Sequence, residues 1–329
     1  MKKLFCPFLF FALMGILSFS FVGCDKEDVE ALPDYVVKVD ANGNATKGHR
    51  FTKIDDSNFF IDNISYRIID DALMVTGYNK LLPIDTANII SELLYKGRRM
   101  KVTSICDMAF GNCTTLTSVT LPSTLKRIMH NAFQLCTALT SITLPESAVI
   151  ENAAFIGCHN LATITIPKGI TEIRAGVFKD CTSLTSVTIP SSVTSIWENA
   201  FEGCISLSSL TFFEGTTNID NYAFQDCSSL TSVTFPESVT SIGADSFSRC
   251  TSLTTISIPS SIGYIGEGAF SSCTGLKDVY CYAEIIPRTG DFVFDGIDLT
   301  SSTLHVPALA IDNYNSNWCW KCFGSIVAL

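Results

Sequence analysis

Fourteen cysteines are the residues of this chain with the most chemistry open to them. Eight of these, Cys113, Cys136, Cys158, Cys181, Cys204, Cys227, Cys250 and Cys273, recur every 23 residues apart from one interval of 22. Disulfide bonding, metal ligation and plain packing are the alternatives for such a column. Equivalent positions on stacked coils would bring their Cα atoms to about 5 Å, inside disulfide range, but with side chains in parallel rather than at the right-angled torsion a disulfide needs. Zinc requires ligands that converge tetrahedrally, and a straight ladder of single thiols does not converge. Packing as a small hydrophobe is therefore the favoured reading, and no metal or cofactor is expected.

Cys319 and Cys322, in "CWKC", have the spacing of a redox pair. That chemistry needs a helix N-terminus in a βαβ setting to lower one thiol's pKa, and here the motif follows a long β-rich region. Cap stabilisation, with or without a disulfide, is expected instead. The four histidines, His49, His130, His159 and His305, are scattered. No Ser-His-Asp order, H-E-x-x-H run, P-loop or dinucleotide fingerprint accompanies them, so no catalytic residues are assigned and the chain is not expected to be an enzyme.

The elements that carry the cysteines follow from the columns around them. Three residues before each cysteine stands a phenylalanine: Phe110, Phe133, Phe155, Phe178, Phe201, Phe224, Phe247 and Phe270. Three residues after it stands a leucine, from Leu116 to Leu276. Each unit begins with a β-branched stretch such as "LTSVTLP", which reads as a short strand ended by proline. No stretch shows ten residues of helical periodicity, so little helix is expected. A 23-residue unit cannot close a core alone, so the units should stack as coils of a solenoid about 4.8 Å apart. The fifth unit departs from the pattern with Phe213 where proline belongs, predicting a local bend or an apolar contact.

This pattern resembles the treponemal type of leucine-rich repeat carried by BspA-like bacterial surface proteins. "YKGRRMKVTSICDMAF" is similar to that family's opening segment and "STLHVPALAIDNYNSNWCWKCF" to its closing one. The resemblance implies a β-rich right-handed solenoid of about eight 23-residue repeats. It also implies adhesion to host matrix proteins or to other bacteria. The organisation expected is a signal peptide over 1–23, a lipidated Cys24 with a flexible acidic leader over 24–50, a small N-terminal β cap over 51–100, the solenoid over 101–282 and a C-terminal capping repeat over 283–329.

The N-terminal expectations rest on "MKKLFCPFLFFALMGILSFSFVGC", with two lysines, an apolar run and a small residue before a cysteine, the layout of a secretory signal. Its end resembles a bacterial lipobox, which implies cleavage before Cys24 and its lipidation. The following "DKEDVE" is similar to acidic stretches that, in Bacteroidetes lipoproteins, mark display on the outer face of the outer membrane, the favoured reading, whereas in enteric bacteria an Asp right after the cysteine implies inner-membrane retention. Removal of residues 1–23 leaves 20 basic against 32 acidic residues and moves the net charge from -10 to -12. An acidic chain of this kind repels phosphate backbones, which argues against nucleic acid as partner.

Binding residues are sought where the units disagree. The column just after each repeat's isoleucine runs Cys106, Met129, Glu151, Arg174, Trp197, Asp220, Gly243 and Gly266. Large variable residues on a rigid scaffold suit recognition, which makes Met129, Arg174, Trp197 and, one coil on, Tyr222 candidates. Trp197 and Arg174 could equally form a structural cation–π pair. Outward strand positions such as Thr117, Ser118 and Thr120 predict a hydroxyl-rich face. The last unit breaks its uniformity with Lys277, Asp278 and Tyr280. Thr86, in Asp85-Thr86-Ala87, resembles a Bacteroidetes O-glycosylation signal. The expected partner is an extracellular protein or glycan; a structural envelope protein without a dedicated ligand is the alternative.

Overall fold

The computed structural model describes residues 36–39, 45, 49–146 and 148–329; the N-terminal apolar segment, Cys24 and most of the acidic leader lie outside the described residues. The cap comprises β1 (Val36–Val39), β2 (Phe51–Lys53), β3 (Asn58–Ile61), β4 (Ile64–Ile69), β5 (Ala72–Tyr78), β6 (Thr86–Asn88), β7 (Glu92–Tyr95) and β8 (Arg98–Ile105). Strands β2 to β5 form an antiparallel meander. Tight turns with positive φ at Asp62-Asn63 and at Lys96-Gly97 set the hairpins, because such turns match the twist of the strands they join.

One part of the leader expectation is corrected. Residues 36–39 form a strand, parallel to β7, that buries Val37 and Val39. Its apolar residues alternate, which is what a half-buried strand requires, and the polar glycine-containing stretch that follows masked that signal.

The cap hands the chain over to two parallel ladders. Strand β6 pairs with Ser118–Thr120, and β8, already paired with β5, also pairs with Arg127–Ile128. The first ladder contains six strands from β6 to Ser209–Phe212, then a separate set of five from Ser232–Thr234 to Ser325–Ala328. The second follows the isoleucine of each unit in two sets, one from β8 to Val149–Ile150 and one from Glu172–Ile173 to Arg288–Thr289. The result is a β-solenoid with little helix, its one α-helix being α1 (Ile311–Ser316) among the described residues.

Its core is a set of columns. In the first ladder the middle residues Val119, Ile142, Ile164, Val187, Leu210, Val233 and Ile256 point inward and are buried. Their neighbours point outward, as the two-residue period of a strand dictates. The eight phenylalanines are essentially fully buried and stack coil on coil at centroid separations of 5.1 to 5.7 Å. Tyr78 of the cap continues the stack at one end and Phe294 at the other, so the cap and the repeats share one core. Each buried phenylalanine contributes about 2–3 kcal/mol from area alone.

The turn containing Ala-Phe-x-x-Cys places two residues per unit in the left-handed region. These are the residue two before the phenylalanine, as at Asn131, Gly176 and Asn199, and the residue just before the cysteine, as at Asn112, Asp180 and Gly203. Asn, Asp and Gly tolerate this region because they carry a short polar side chain or none.

Candidate recognition surface

Two outward columns, exposed over most of their length and half-buried at the C-terminal end, flank the buried middle residue of the first ladder. One runs Thr86, Ser118, Ser141, Thr163, Ser186, Ser209, Ser232, Thr255 and Asp278. The other includes Thr120, Thr165, Thr188, Thr211, Thr234, Ser257 and Tyr280, and together they make a hydroxyl face along the solenoid. Thr86 is exposed on β6, the edge strand of this face.

The face is interrupted between the fifth and sixth units. No ladder joins Ser209–Phe212 to Ser232–Thr234. Elsewhere the amide two residues before the middle of one coil's strand donates to its equivalent one coil back, as from Ser208 to Thr185 and from Thr254 to Thr231. The corresponding bond from Thr231 to Ser208 is not made. On the second ladder the same two coils stay paired, Asn218–Ile219 with Ser241–Ile242, so the opening is a wedge confined to the hydroxyl side.

The fifth unit's sequence accounts for the wedge. Proline has no N–H, whereas the Phe213 amide donates to the Ile189 carbonyl at 3.0 Å and draws the coil toward its predecessor. Gly215, at φ 143°, completes the approach; a Cβ there would lie 2.1 Å from the Ser191 carbonyl oxygen. Phe212 and Phe235 occupy a column that takes Ile189 and Ile258 elsewhere, and their rings lie 6.0 Å apart, tilted at 47°, between the two unpaired strands. The bend or apolar contact expected at Phe213 is thus an opened ladder, with Phe213 itself 56% exposed.

The cleft has a volume of about 540 Å³ and is lined by Leu210, Phe212, Phe213 and Phe235, the hydroxyls of Thr211, Ser232 and Thr234, and Glu214 and Glu237. Glu214 accepts hydrogen bonds from the amides of Glu237 and Ser238 at 3.2 and 3.1 Å, bridging the two coils at the cleft's end. No lysine or arginine lines it.

The six residues singled out from sequence fall into separate groups. Met129, Arg174 and Trp197 share the column that follows the second ladder, and Tyr222 lies three residues beyond Ile219 on that same side. Lys277 and Tyr280 belong to the hydroxyl face, near its C-terminal end. Trp197 is 44% exposed. Arg174 is occupied by carboxylates: it pairs with the buried Glu151 and lies 3.7 Å from Glu172, while Arg127 approaches Glu151 at 3.6 Å. This network, and no ring contact with Trp197, is what holds Arg174 in place. Part of the column's variation is packing as well. A Cβ on Gly243 or Gly266 would lie 2.5 or 2.4 Å from the backbone of the coil before, and Cys106 is buried.

Sequence reasoning missed the cluster around Tyr280. Its ring stacks on His305 at 4.2 Å, and His305 Nε2 donates to the Asp278 carboxylate at 3.1 Å. The closing segment runs out of the 23-residue register, which hid the pairing of Tyr280 with His305. Besides the break in uniformity at Asp278 and Tyr280, a signal was Tyr282, which stands in the proline column as Phe213 does and likewise donates its amide back, to Ile258 at 3.0 Å.

The profile of the BspA type leucine rich repeat region matches residues 98–208 and 194–321, in six copies. The chain belongs to this family. It is similar to a leucine-rich cell surface protein of Faecalibacterium prausnitzii, at 24% identity over 83% of this chain and 95% of that one, with a TM-score of 0.41. It is also similar to a leucine-rich repeat protein of Bacteroides ovatus, at 22% identity over 82% and 90% with a TM-score of 0.44. The Treponema pallidum leucine rich repeat protein is 26% identical over 51% of this chain and 88% of its own, with a TM-score of 0.45. No curated protein matches the chain.

In this BspA-type solenoid the cysteine column is inert. Each thiol from Cys136 to Cys273 donates to the carbonyl of the phenylalanine one coil back, at 3.1 to 3.4 Å. Burial raises the thiols from Cys136 to Cys250, Cys158 to about 12, so the nucleophilic thiolate is suppressed there. Cys319 is buried and pushed up to about 11, whereas Cys322 is exposed; both are free thiols. The segment Trp320–Cys322 is one short helical turn, which cannot supply the field that lowers a redox thiol's pKa. Leucine-rich repeat solenoids are typical of non-enzymatic proteins that recognise or adhere to other proteins through long, rigid faces.

Proposed function

We propose that the chain is a lipid-anchored, surface-displayed protein that uses the hydroxyl face of its solenoid to recognise or adhere to an extracellular protein or glycan. The observation that carries this reading is the face itself: ordered columns of outward serine and threonine run the length of the solenoid, and aromatic residues stand where the pattern breaks. The lipobox-like ending at Cys24 and the acidic stretch after it support the anchor and its orientation toward the outside. Among the described residues no helix is long and apolar enough to cross a membrane. Thr86, exposed at the sheet edge, is accessible for O-glycosylation.

The uniformity of the hydroxyl columns favours a second reading, a structural envelope protein without a dedicated ligand, because affinity comes from a few distinctive anchors. Arrays of matrix proteins and glycans probed with the full chain separate the two: reproducible binding supports recognition, and none supports the structural role. Surface display is tested on intact cells, where added protease should degrade the repeats and full protection contradicts the proposal. Metabolic labelling with palmitate should mark the wild type and not Cys24→Ala.

A further inference from the structure

We propose that the cleft between the fifth and sixth units is a binding site for an arginine side chain presented by a protein partner. This inference rests on the recognition reading and assigns it a site and a ligand chemistry. The opened ladder leaves two strand edges facing each other across the cleft, so main-chain groups that pair in neighbouring coils stand without a ladder partner here. An arginine guanidinium, planar and with five donors, can serve carbonyls and carboxylates together.

Three features select a guanidinium over other groups. Phe213 offers an exposed ring beside the cleft, and guanidinium groups stack on aromatic faces. Glu214 and Glu237 place two carboxylates at its end, each using part of its accepting capacity within the protein, on the Glu237 and Ser238 amides and on the Ser260 hydroxyl respectively. No cation of the chain lines the cleft to satisfy them, and the net charge of -10 steers basic surfaces toward the protein. The apolar floor of Leu210, Phe212 and Phe235 suits the methylene stem that arginine carries behind its charged head.

The probe is a fluorescent peptide, acetyl-Gly-Val-Arg-Val-Gly-amide, titrated against the full chain, with the citrulline and lysine peptides as controls. Citrulline keeps the shape and loses the charge, and should bind about tenfold more weakly. Lysine keeps the charge and loses the planar fork, and should lie between. Phe213→Pro restores the repeat's own proline; it should lower arginine-peptide affinity about fivefold or more while the far-ultraviolet spectrum is unchanged. Glu214→Gln combined with Glu237→Gln should lower it further and remove the salt dependence.

Hydrogen exchange on the wild-type chain keeps the proposal testable whatever the variants do to folding. Peptide-dependent protection should fall on residues 210–214 and 232–237. Equal binding of the arginine and citrulline peptides, no binding of either, or protection elsewhere overturns the cleft. Failure of the cleft is distinguishable from failure of the recognition reading. In the first case, the full chain still binds matrix proteins or glycans, and Phe213→Pro binds them equally. In the second, the arrays are blank for the wild type.

Discussion

The thiol of Cys136 donates to the backbone carbonyl of Phe110, 3.2 Å away and one coil earlier. The same carbonyl accepts the Cys113 amide of its own coil at 3.0 Å, so both of its lone pairs are used. The repetition of this contact gives a reason for cysteine to recur where alanine or valine would also fill an apolar site: the turn leaves half an acceptor, and a thiol is a small, largely apolar side chain that still carries a weak donor for it.

Cys136→Ala should therefore destabilise the chain by about 1–2 kcal/mol, from a lost weak hydrogen bond and a small cavity. Phe155→Ala, in the middle of the ring stack, should cost about 3–5 kcal/mol. Urea denaturation followed by circular dichroism measures both. A Phe155→Ala loss below that of Cys136→Ala would contradict the assignment of the rings as the principal core.

The buried thiols also set a pH dependence. Cys158 is held protonated to about 12, against 9.0 for a free thiol, chiefly by burial. In the unfolded chain the same group ionises above pH 9, so the unfolded state then binds fewer protons and the contribution to stability falls as pH rises from 9 toward 12. The loss is about 1.4 kcal/mol per pH unit for each such thiol. The urea midpoint should be flat from pH 7 to 8.5 and fall steeply above 9. A midpoint independent of pH up to 11 would show that the column is solvated.

Thiol reactivity follows the same burial. Iodoacetamide at pH 8 should modify Cys322 in the native protein and spare Cys319 and the eight column cysteines, as mass spectrometry of tryptic peptides would show. Equal labelling of Cys319 and Cys322 would restore the redox reading of "CWKC".

Tyr222 occupies a left-handed position, φ 58°, where equivalent coils use Asn131, Gly176 and Asn199. Tyr222→Asn should relieve about 1 kcal/mol of backbone strain and raise the melting temperature. A lower melting temperature would mean that the phenol makes contacts outweighing the strain.

Much of the fold was legible because solenoid packing is repetitive: Phe133 must meet Phe110 and Phe155, so a single column read along the chain reports stacking directly. The anomaly at Phe213 was legible too, but its consequence was not. The opened ladder coincides with an amide that proline lacks, with the close approach of Gly215 to Ser191 and with two rings in the strand column, and no single residue type announces that combination. Arg174 is the opposite case. Its variability looked like recognition, yet Glu151, 23 residues earlier, satisfies it, and such a pairing is visible only once coils are in register. The stack of Tyr280 on His305 stayed hidden because the closing segment departs from the repeat length.

The most direct test of recognition through the hydroxyl face blocks that face without touching the core. Thr165→Arg combined with Thr188→Arg places two bulky cations at exposed positions of neighbouring coils. Arrays of matrix proteins and glycans are then probed with the full-length wild type, this variant and Trp197→Ala. The account predicts that the wild type binds, that the double variant with an unchanged melting temperature does not, and that Trp197→Ala retains binding. Binding that survives the double variant and disappears with Trp197→Ala would contradict it and move recognition to the second ladder.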